Sequence, residues 1–337
     1  MKAIVKPHAG VAEPELWDRE EPSAPAGWVK IKIKAAGLCG TDLHILADEY
    51  ANKPPVVLGH EIAGQVVECG QGVDEEIVGG RVTARTMLTC GKCRYCRVGR
   101  TNLCPERRSI GSALDGGFAE YMIIPEDNLH ILPAGVNYRE GALTEPLACC
   151  VRACMEIGRL GAGERVLIVG PGTIGLLCTQ LARLGGAHVT VLGRPEDKKR
   201  LQLAEELGAD RILTTGDLAP TKDKDGEFET LIECSGSAAG IQTGIKLLRK
   251  NSKVIQVGLS GKPIPLMLDD IALREITLLG TFAQTWSSWN LAIRLLARGE
   301  LKLRPLISHV FSLSDYREAF AVFRSGSGTK LLFAPES

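Results

Sequence analysis

An excess of charge of either sign is the first thing this 337-residue chain lacks: 40 basic residues meet 40 acidic ones, so no global field draws it to nucleic acid or an anionic lipid surface. Long apolar runs are missing too. The most continuous, such as VLIVG at 166–170, are far too short to cross a bilayer. The chain has no low-complexity tract, no internal repeat and no block of like charge that would make a disordered tail. The opening MKAIVKPHAG carries neither an apolar signal region nor an Arg-rich transit helix. These absences predict a cytoplasmic protein with no nucleic-acid and no membrane partner.

Cysteine, by contrast, is plentiful, with 11 residues. LTCGKCRYCRVGRTNLCPE at 88–106 sets Cys90, Cys93, Cys96 and Cys104 close together. Disulfide frameworks belong to short secreted chains that cannot build a core, and a chain that is 45% hydrophobic has no such need. In a reducing compartment the C-x2-C-x2-C-x7-C spacing lets four thiolates close a tetrahedron around Zn²⁺. Lys92, Arg94, Arg97 and Arg100 favour the thiolates and offset the charge of such a centre. Structural zinc is the preferred reading; a disulfide, an iron–sulfur cluster and a redox switch are the alternatives. With four protein ligands such a metal has no position for substrate. Seven cysteines remain, namely Cys39, Cys69, Cys149, Cys150, Cys154, Cys178 and Cys234. Most sit in apolar stretches as buried, inert thiols; Cys39 is the exception.

Two textures divide the chain. Residues 1–145 read as β-rich: WVKIKIKAAG, EIAGQVVECG and FAEYMIIP alternate or cluster β-branched residues between Gly, Pro and Asp breaks, which suggests a barrel-like all-β lobe whose zinc loop spans about 85–108. From 146 to 286 strands and helices alternate. RVLIVG, HVTVLG, TLIECSG, KVIQVGL and EITLLGTF read as buried strands, with TIGLLCTQLARLGG, EDKKRLQLAEELGA and AAGIQTGIKLLRK as helices between them. That order predicts an α/β domain with a doubly wound parallel sheet. Residues 287–337, with the helix WNLAIRLLARGE and strands around HVFSL and KLLFAP, are expected to return to the first lobe.

Gly170-Pro171-Gly172-Thr173-Ile174-Gly175 follows a strand and opens a helix. In that context the G-x-G-x-x-G pattern seats a dinucleotide pyrophosphate on a helix N-terminus. The first glycine makes the tight turn, the second admits the phosphates and the third lets helix and strand pack; Pro171 is compatible with a helix start. An NAD-binding chain places an acid at the end of the second strand for the ribose 2′-OH. Here Gly193 and Arg194 stand there, leaving room and a cation for a 2′-phosphate. The reading leans to NADP. The alternative is NAD, with Arg194 solvated and Glu196 or Asp197 on the 2′-OH, although those acids equally suit the first turn of the next helix.

Cys39 in AAGLCGTDLH and His60 in VVLGHEIAGQ are ligand types suited to Zn²⁺ beside glycines that allow close backbone approach, and Glu61 adds an oxygen. Taken singly, each is as readily an ordinary core thiol or a hydrogen-bonded histidine. Together with LGHEIAGQVVECG, the four-cysteine loop, IGSALDGGFAEY, LTEPLACC and GPGTIG, in this order and spacing, they resemble the zinc-dependent medium-chain alcohol and polyol dehydrogenases. The resemblance covers nearly the whole chain and lies nearest the sorbitol, threonine and galactitol-phosphate dehydrogenase branch.

The resemblance implies a GroES-like β-barrel catalytic domain, a Rossmann domain for NAD(P), and two zinc ions. Cys39 and His60 would bind the catalytic zinc, with Glu61 a third or exchangeable ligand. Glu145, in the EPL motif, would bind directly or through the zinc water, with Cys149 and Cys150 as imperfect rivals just beyond. Thr41 would take the proton from the substrate alcohol, Asp42 would orient a ligand, and His44 would end a relay to solvent. An open zinc position lowers a hydroxyl's pKa and so lets hydride leave for the nicotinamide, which is expected to lie between the lobes. Val257 to Leu259 and Thr281 to Ala283 would line the nicotinamide, or simply pack strand ends. One departure concerns substrate. The polyol enzymes carry an Arg-Tyr pair where this chain has Ala283 and Gln284, so the resemblance implies the reaction type more than the substrate. A secondary hydroxyl of a polyol or sugar-like molecule comes first, with threonine or a sugar phosphate behind it. Gln284, Trp286 and Trp289 would face that pocket or pack the seam between domains. A dinucleotide-binding regulator without turnover is the reading from another class. A homodimer or homotetramer joined near residues 265–280 is expected by analogy.

Overall fold

The computed structural model describes residues 1–218 and 225–335. The chain forms two compact units, Met1–Pro146 with Thr285–Ser337, and Leu147–Gln284.

The first unit is built on a seven-stranded sheet running Leu129–Ile131, Arg81–Ala84, Glu61–Cys69, Trp28–Gly37, Lys330–Phe333, Ile307–Phe311, with Tyr121–Pro125 also pairing with Trp28–Gly37. The strand Trp28–Gly37 explains its own position: Val29, Ile31 and Ile33 are buried, while Lys30, Lys32 and Lys34 point the other way and are half-buried, the two-residue period of a strand with one apolar face. Its inward residues join Ile62, Phe118, Phe320 and Phe333 in one core. The Phe118 ring meets that of Phe333 edge-on at 4.8 Å. Burying a side chain of this size contributes roughly 1.5–3 kcal/mol.

The C-terminal strands pair within this unit. Ile307–Phe311 and Lys330–Phe333 run parallel to each other, and the latter pairs antiparallel with Trp28–Gly37, setting Leu332 opposite Gly37. The same Gly37 faces Glu61 across its other edge. Three distant segments therefore meet at one glycine.

Trp286 and Trp289 lie on the helix Trp286–Arg298 of this unit. Their ring contacts lie within this unit. Trp289 is fully buried and stacks on His130 at 5.0 Å, and Trp286 meets His130 edge-on while the Arg85 guanidinium covers its ring at 3.7 Å.

The second unit carries six parallel strands in the order Arg211–Thr214, His188–Gly193, Arg165–Val169, Phe228–Glu233, Leu248–Gln256, Thr277–Gly280. The chain winds out to one edge from Arg165–Val169, then resumes on its other side, which opens a crevice at the carboxyl ends of the two central strands. Helices Thr173–Leu184, Lys198–Glu206 and Ala238–Leu247 make the crossovers. The third helix ends earlier than its periodicity predicts. Leu248 is buried and pairs with Phe228, so Leu248, Arg249 and Lys250 are drawn into the strand. The short edge strand Arg211–Thr214 has too little apolar pattern to have been read from sequence. No helix among the described residues is long and apolar enough to cross a membrane.

Candidate metal centre and dinucleotide site

In the first unit, ligand atoms of Cys39, His60 and Glu61 all lie within 4.8 Å of one another. Each is positioned by local structure. Cys39 caps the helix Gly40–Leu46, and its backbone N–H donates to Asp42 Oδ2 at 2.9 Å. His60 follows Gly59, whose φ of 89° is the left-handed region that favours glycine, and a Cβ there would strike the Phe118 ring at 2.3 Å. Glu61 opens the strand Glu61–Cys69 and is only 1% exposed. A Cβ on Gly37 would come within 2.0 Å of Glu61 Oε2, so this carboxylate requires glycine opposite it.

The electrostatics centre on two pairs. Asp42, fully buried, faces His60 Nδ1 at 3.5 Å. Burial works against a charged imidazole, but the Asp42 carboxylate and the Cys39 sulfur outweigh it and hold His60 well above its usual range. With Nδ1 engaged by a carboxylate, Nε2 is the nitrogen left for a metal. The second pair was not legible in the sequence. Lys330 Nζ donates to both Glu61 oxygens, at 2.5 and 2.8 Å, and to the Leu38 carbonyl at 3.0 Å. Burial opposes this charge too; Glu61 and Cys39 overcome it, and the lysine is raised above its ordinary value. A soft sulfur, an imidazole and a buried carboxylate suit a Zn²⁺ ion.

Around this group, Thr41 Oγ1 lies 3.7 Å from Cys39 Sγ. His44 Nδ1 pairs with Glu49 at 2.7 Å, a partner the sequence did not indicate. Glu145 is buried in the first turn of the helix Thr144–Val151 and is near enough to raise Lys330, yet it is outside the converging trio. Cys149 and Cys150 join no converging group among the described residues; Cys150 is buried and donates to the Ile174 carbonyl within the second unit.

The other converging group is Cys90, Cys93, Cys96 and Cys104. None of the 11 cysteines forms a disulfide. Cys90 and Cys104 sulfurs are 3.6 Å apart, and a tetrahedron with Zn–S bonds of 2.3 Å has edges of about 3.8 Å. Backbone N–H groups of Lys92 and Cys93 lower Cys90 to about 7, while burial and neighbouring thiols push Cys96 up to about 11. Four converging thiols of this kind are a site that a divalent cation would bind as thiolates.

In the second unit, Gly170 adopts φ 99° between the first strand and Gly172, which caps the helix Thr173–Leu184. A Cβ on Gly175 would lie 2.0 Å from the Gly170 carbonyl, while one on Gly172 meets nothing within 4 Å, leaving that backbone open to a phosphate. Beyond the facing strand, Glu233 is fully buried and accepts the N–H groups of Ser235 and Gly236 and the Gln256 amide; it fixes the loop opposite Gly170. Thr281 Oγ1 is buried without a partner, and Leu259 is exposed.

Arg194 is less free than the sequence implied. It is tied to Asp197 through its backbone N–H at 2.9 Å and its guanidinium at 3.3 Å, though its side chain remains 65% exposed. Asp197 also receives Arg200, a cation sequence reasoning missed. The buried Asp197 carboxylate is thus occupied by two arginines. Ala283 sits at φ 51°, uncommon for alanine, and Gln284 beside it is buried.

Known proteins share this arrangement. Residues 25–134 match the family described as Alcohol dehydrogenase GroES-like domain, and residues 173–298 match Zinc-binding dehydrogenase. A sorbitol dehydrogenase of Halalkalibacterium halodurans is 38% identical over 99% of this chain and 99% of its own. A D-arabitol-phosphate dehydrogenase of Enterococcus avium is also 38% identical, over 98% of this chain and 97% of its own. A zinc-binding dehydrogenase fold from Sinorhizobium meliloti, solved bound to NADP, superposes with a TM-score of 0.87 at 34% identity over 99% of both chains. The chain therefore belongs to the zinc-dependent medium-chain alcohol dehydrogenases, a GroES-like domain joined to a Rossmann domain, which transfer hydride between an alcohol and NAD(P).

Proposed function

We propose that this enzyme oxidises a secondary alcohol of a polyol or sugar-like molecule to the ketone, with NADP as hydride acceptor, and reverses that reaction when the reduced cofactor is in excess. The observation that carries the reading is the convergence of half-buried Cys39 with His60 and the buried Glu61. We assign these three to a catalytic Zn²⁺, with Glu145 as a further ligand, direct or through water, and Cys90, Cys93, Cys96 and Cys104 to a structural Zn²⁺. The catalytic ion, when bound, supplies a Lewis acid that lowers the pKa of the substrate hydroxyl.

The chain's own residues do the rest. Asp42 fixes the His60 ring and its tautomer. Thr41 accepts the hydroxyl proton and releases its own outward, and His44, paired with Glu49, hands it to solvent. Lys330 competes for Glu61 and so limits the negative charge the carboxylate presents to the site. Gly170, Gly172, Thr173, Ile174 and Gly175 receive the pyrophosphate. Gly193 and Arg194 receive the 2′-phosphate, with Val257, Leu259 and Thr281 lining the nicotinamide. These roles assign residues 1–145 and 287–337 to catalysis and 146–286 to the cofactor. Support for the polyol class comes from the sorbitol and arabitol-phosphate relatives; an enzyme for threonine or a sugar phosphate is the second reading, favoured by the Ala283-Gln284 departure. We further propose a homodimer or homotetramer in a reducing, cytoplasmic compartment. The exposed Met267, Leu268, Leu273 and Leu278 beside the edge strand Thr277–Gly280 support that assembly.

The test is hydride transfer followed at the reduced nicotinamide band, across polyols, sugar phosphates and threonine, with NAD and NADP separately. Chelator-sensitive turnover of a polyol with NADP, lowered about 10²-fold or more by Thr41→Val, is expected. Cofactor binding without turnover of any alcohol would instead support the regulatory reading.

A further inference from the structure

Four cysteines that the reaction does not use meet inside the second unit. Cys150 stands on the helix Thr144–Val151, Cys154 on the π-helical turn Arg152–Ile157 that continues it, Cys178 on the helix Thr173–Leu184, and Cys234 just past the strand Phe228–Glu233. The Cys150, Cys154 and Cys234 thiols each donate to the Cys178 sulfur. Three donors outweigh burial and hold Cys178 well below the usual thiol range. Its partners are pushed up, Cys150 first by burial, Cys154 and Cys234 first by donating to Cys178. Cys150, Cys154 and Cys178 are fully buried, whereas Cys234 is half-buried and is the member a small solute reaches. The arrangement is a hub and not a metal cradle: among the described residues, the sets whose ligand atoms all lie within 4.8 Å of one another are those of Cys39 and Cys90. Sulfurs that meet pairwise suit a sulfur–sulfur bond instead.

The hub is tied to the Gly170 turn from three sides. Cys178 lies in the second turn of the helix that Gly172 caps. Cys150 Sγ donates to the Ile174 carbonyl at 3.5 Å. The Cys234 backbone N–H donates to the carbonyl of Val169, directly before Gly170, at 2.9 Å. A Cβ on Gly170 would come within 2.9 Å of the Ser235 nitrogen, so the turn has no slack against the segment that carries Cys234.

We propose that Cys234 and Cys178 form a reversible thiol switch, closed to a disulfide by a hydroperoxide, that weakens dinucleotide binding when closed. The coupling rests on the Gly170 turn being the dinucleotide site. Cys234 sulfur attacks one peroxide oxygen, the O–O bond breaks, and water leaves behind a sulfenic acid. The Cys178 sulfur then attacks that of Cys234, the S–O bond breaks, and the hydroxyl departs with a proton as a second water. Two thiols lose two electrons to one peroxide. Cys178, with its proton most readily lost, is the resolving nucleophile. Bonding draws the two sulfurs to about 2 Å, which pulls the phosphate-binding helix and the 234–235 segment together and displaces the backbone around Gly170.

The test uses zinc-loaded, full-length protein, reduced and then treated with hydrogen peroxide. Cofactor affinity is the readout in place of turnover, because peroxide also attacks zinc-bound thiolates. Tryptic cleavage puts Cys150, Cys154, Cys178 and Cys234 on four separate peptides, so mass spectrometry identifies the pair. A Cys178–Cys234 crosslink is expected, with NADP affinity weakened about tenfold or more and restored by dithiothreitol. Cys234→Ser should form no crosslink and keep its affinity after peroxide. In Cys178→Ala the Cys234 sulfenic acid should persist and be captured by dimedone, a result that a purely structural Cys178 would not give. A crosslink through Cys150 or Cys154 in its place, or equal NADP affinity of reduced and crosslinked protein, would overturn the proposal. If reduced protein binds neither NADP nor NAD, the dinucleotide reading fails and the coupling falls with it; an absent crosslink in protein that does bind overturns the switch alone.

Discussion

Replacing Lys330 by methionine keeps an apolar stem of similar length and removes one charge. Glu61, 1% exposed, then loses donors at 2.5 and 2.8 Å and has a charged carboxylate in the interior. Removing one partner of a buried pair costs about 3–5 kcal/mol. For a unit of this size each kcal/mol lowers the melting temperature by about 2–4 °C, so the shift is on the order of 10 °C. Metal-depleted protein is the proper sample, because a bound cation near Glu61 would replace the missing ammonium. Calorimetric melting of wild type, Lys330→Met, Glu61→Gln and the double variant checks the reasoning. The double variant leaves no uncompensated charge and should melt well above Lys330→Met. A Lys330→Met melting temperature within about 2 °C of wild type, or strictly additive losses in the double variant, would refute it.

Two further outcomes follow from individual contacts. Arg194→Gln should weaken NADP by about 10- to 100-fold while leaving NAD unchanged, as expected for losing a charge-assisted bond to the 2′-phosphate; equal losses for both cofactors in binding titrations would show that Arg194 serves only the loop. His130, half-buried against Trp289 and repelled by Arg85, has its pKa lowered by desolvation from 6.5 to about 4. The unfolded chain therefore takes up a proton near pH 6.5 that the folded one refuses until about pH 4, so stability falls as pH drops through that window. Melting temperatures between pH 7 and 4 should decline less steeply in His130→Gln, and parallel curves would contradict the assignment.

How much of this could be read beforehand follows from where the chemistry sits along the chain. The four cysteines lie within 15 consecutive positions and the Gly170 turn stands between a strand and a helix, so spacing exposed them, whereas Cys39, His60 and Glu61, ambiguous singly, are assigned only through the family resemblance. The doubly wound sheet was legible because its buried strands are continuous apolar runs. Lys330 was not, since it is 269 residues from Glu61 and meets it only through the register of Lys330–Phe333 on Trp28–Gly37. Nothing in KLLFAP distinguishes it from a solvated lysine. Arg200 was similarly hidden among helix charges, and the stacking of Trp289 on His130, 159 positions away, lies beyond any local pattern. Leu248 was assigned to a helix by its period and claimed by the sheet through burial against Phe228, a tertiary preference that local propensity does not contain.

The most direct test of the central assignment is metal content and turnover of Cys39→Ser beside wild type. The account predicts that zinc falls from two ions per chain to one, with dehydrogenase activity lost and the Cys90–Cys104 loop still loaded. Two zinc ions retained together with undiminished hydride transfer would contradict it.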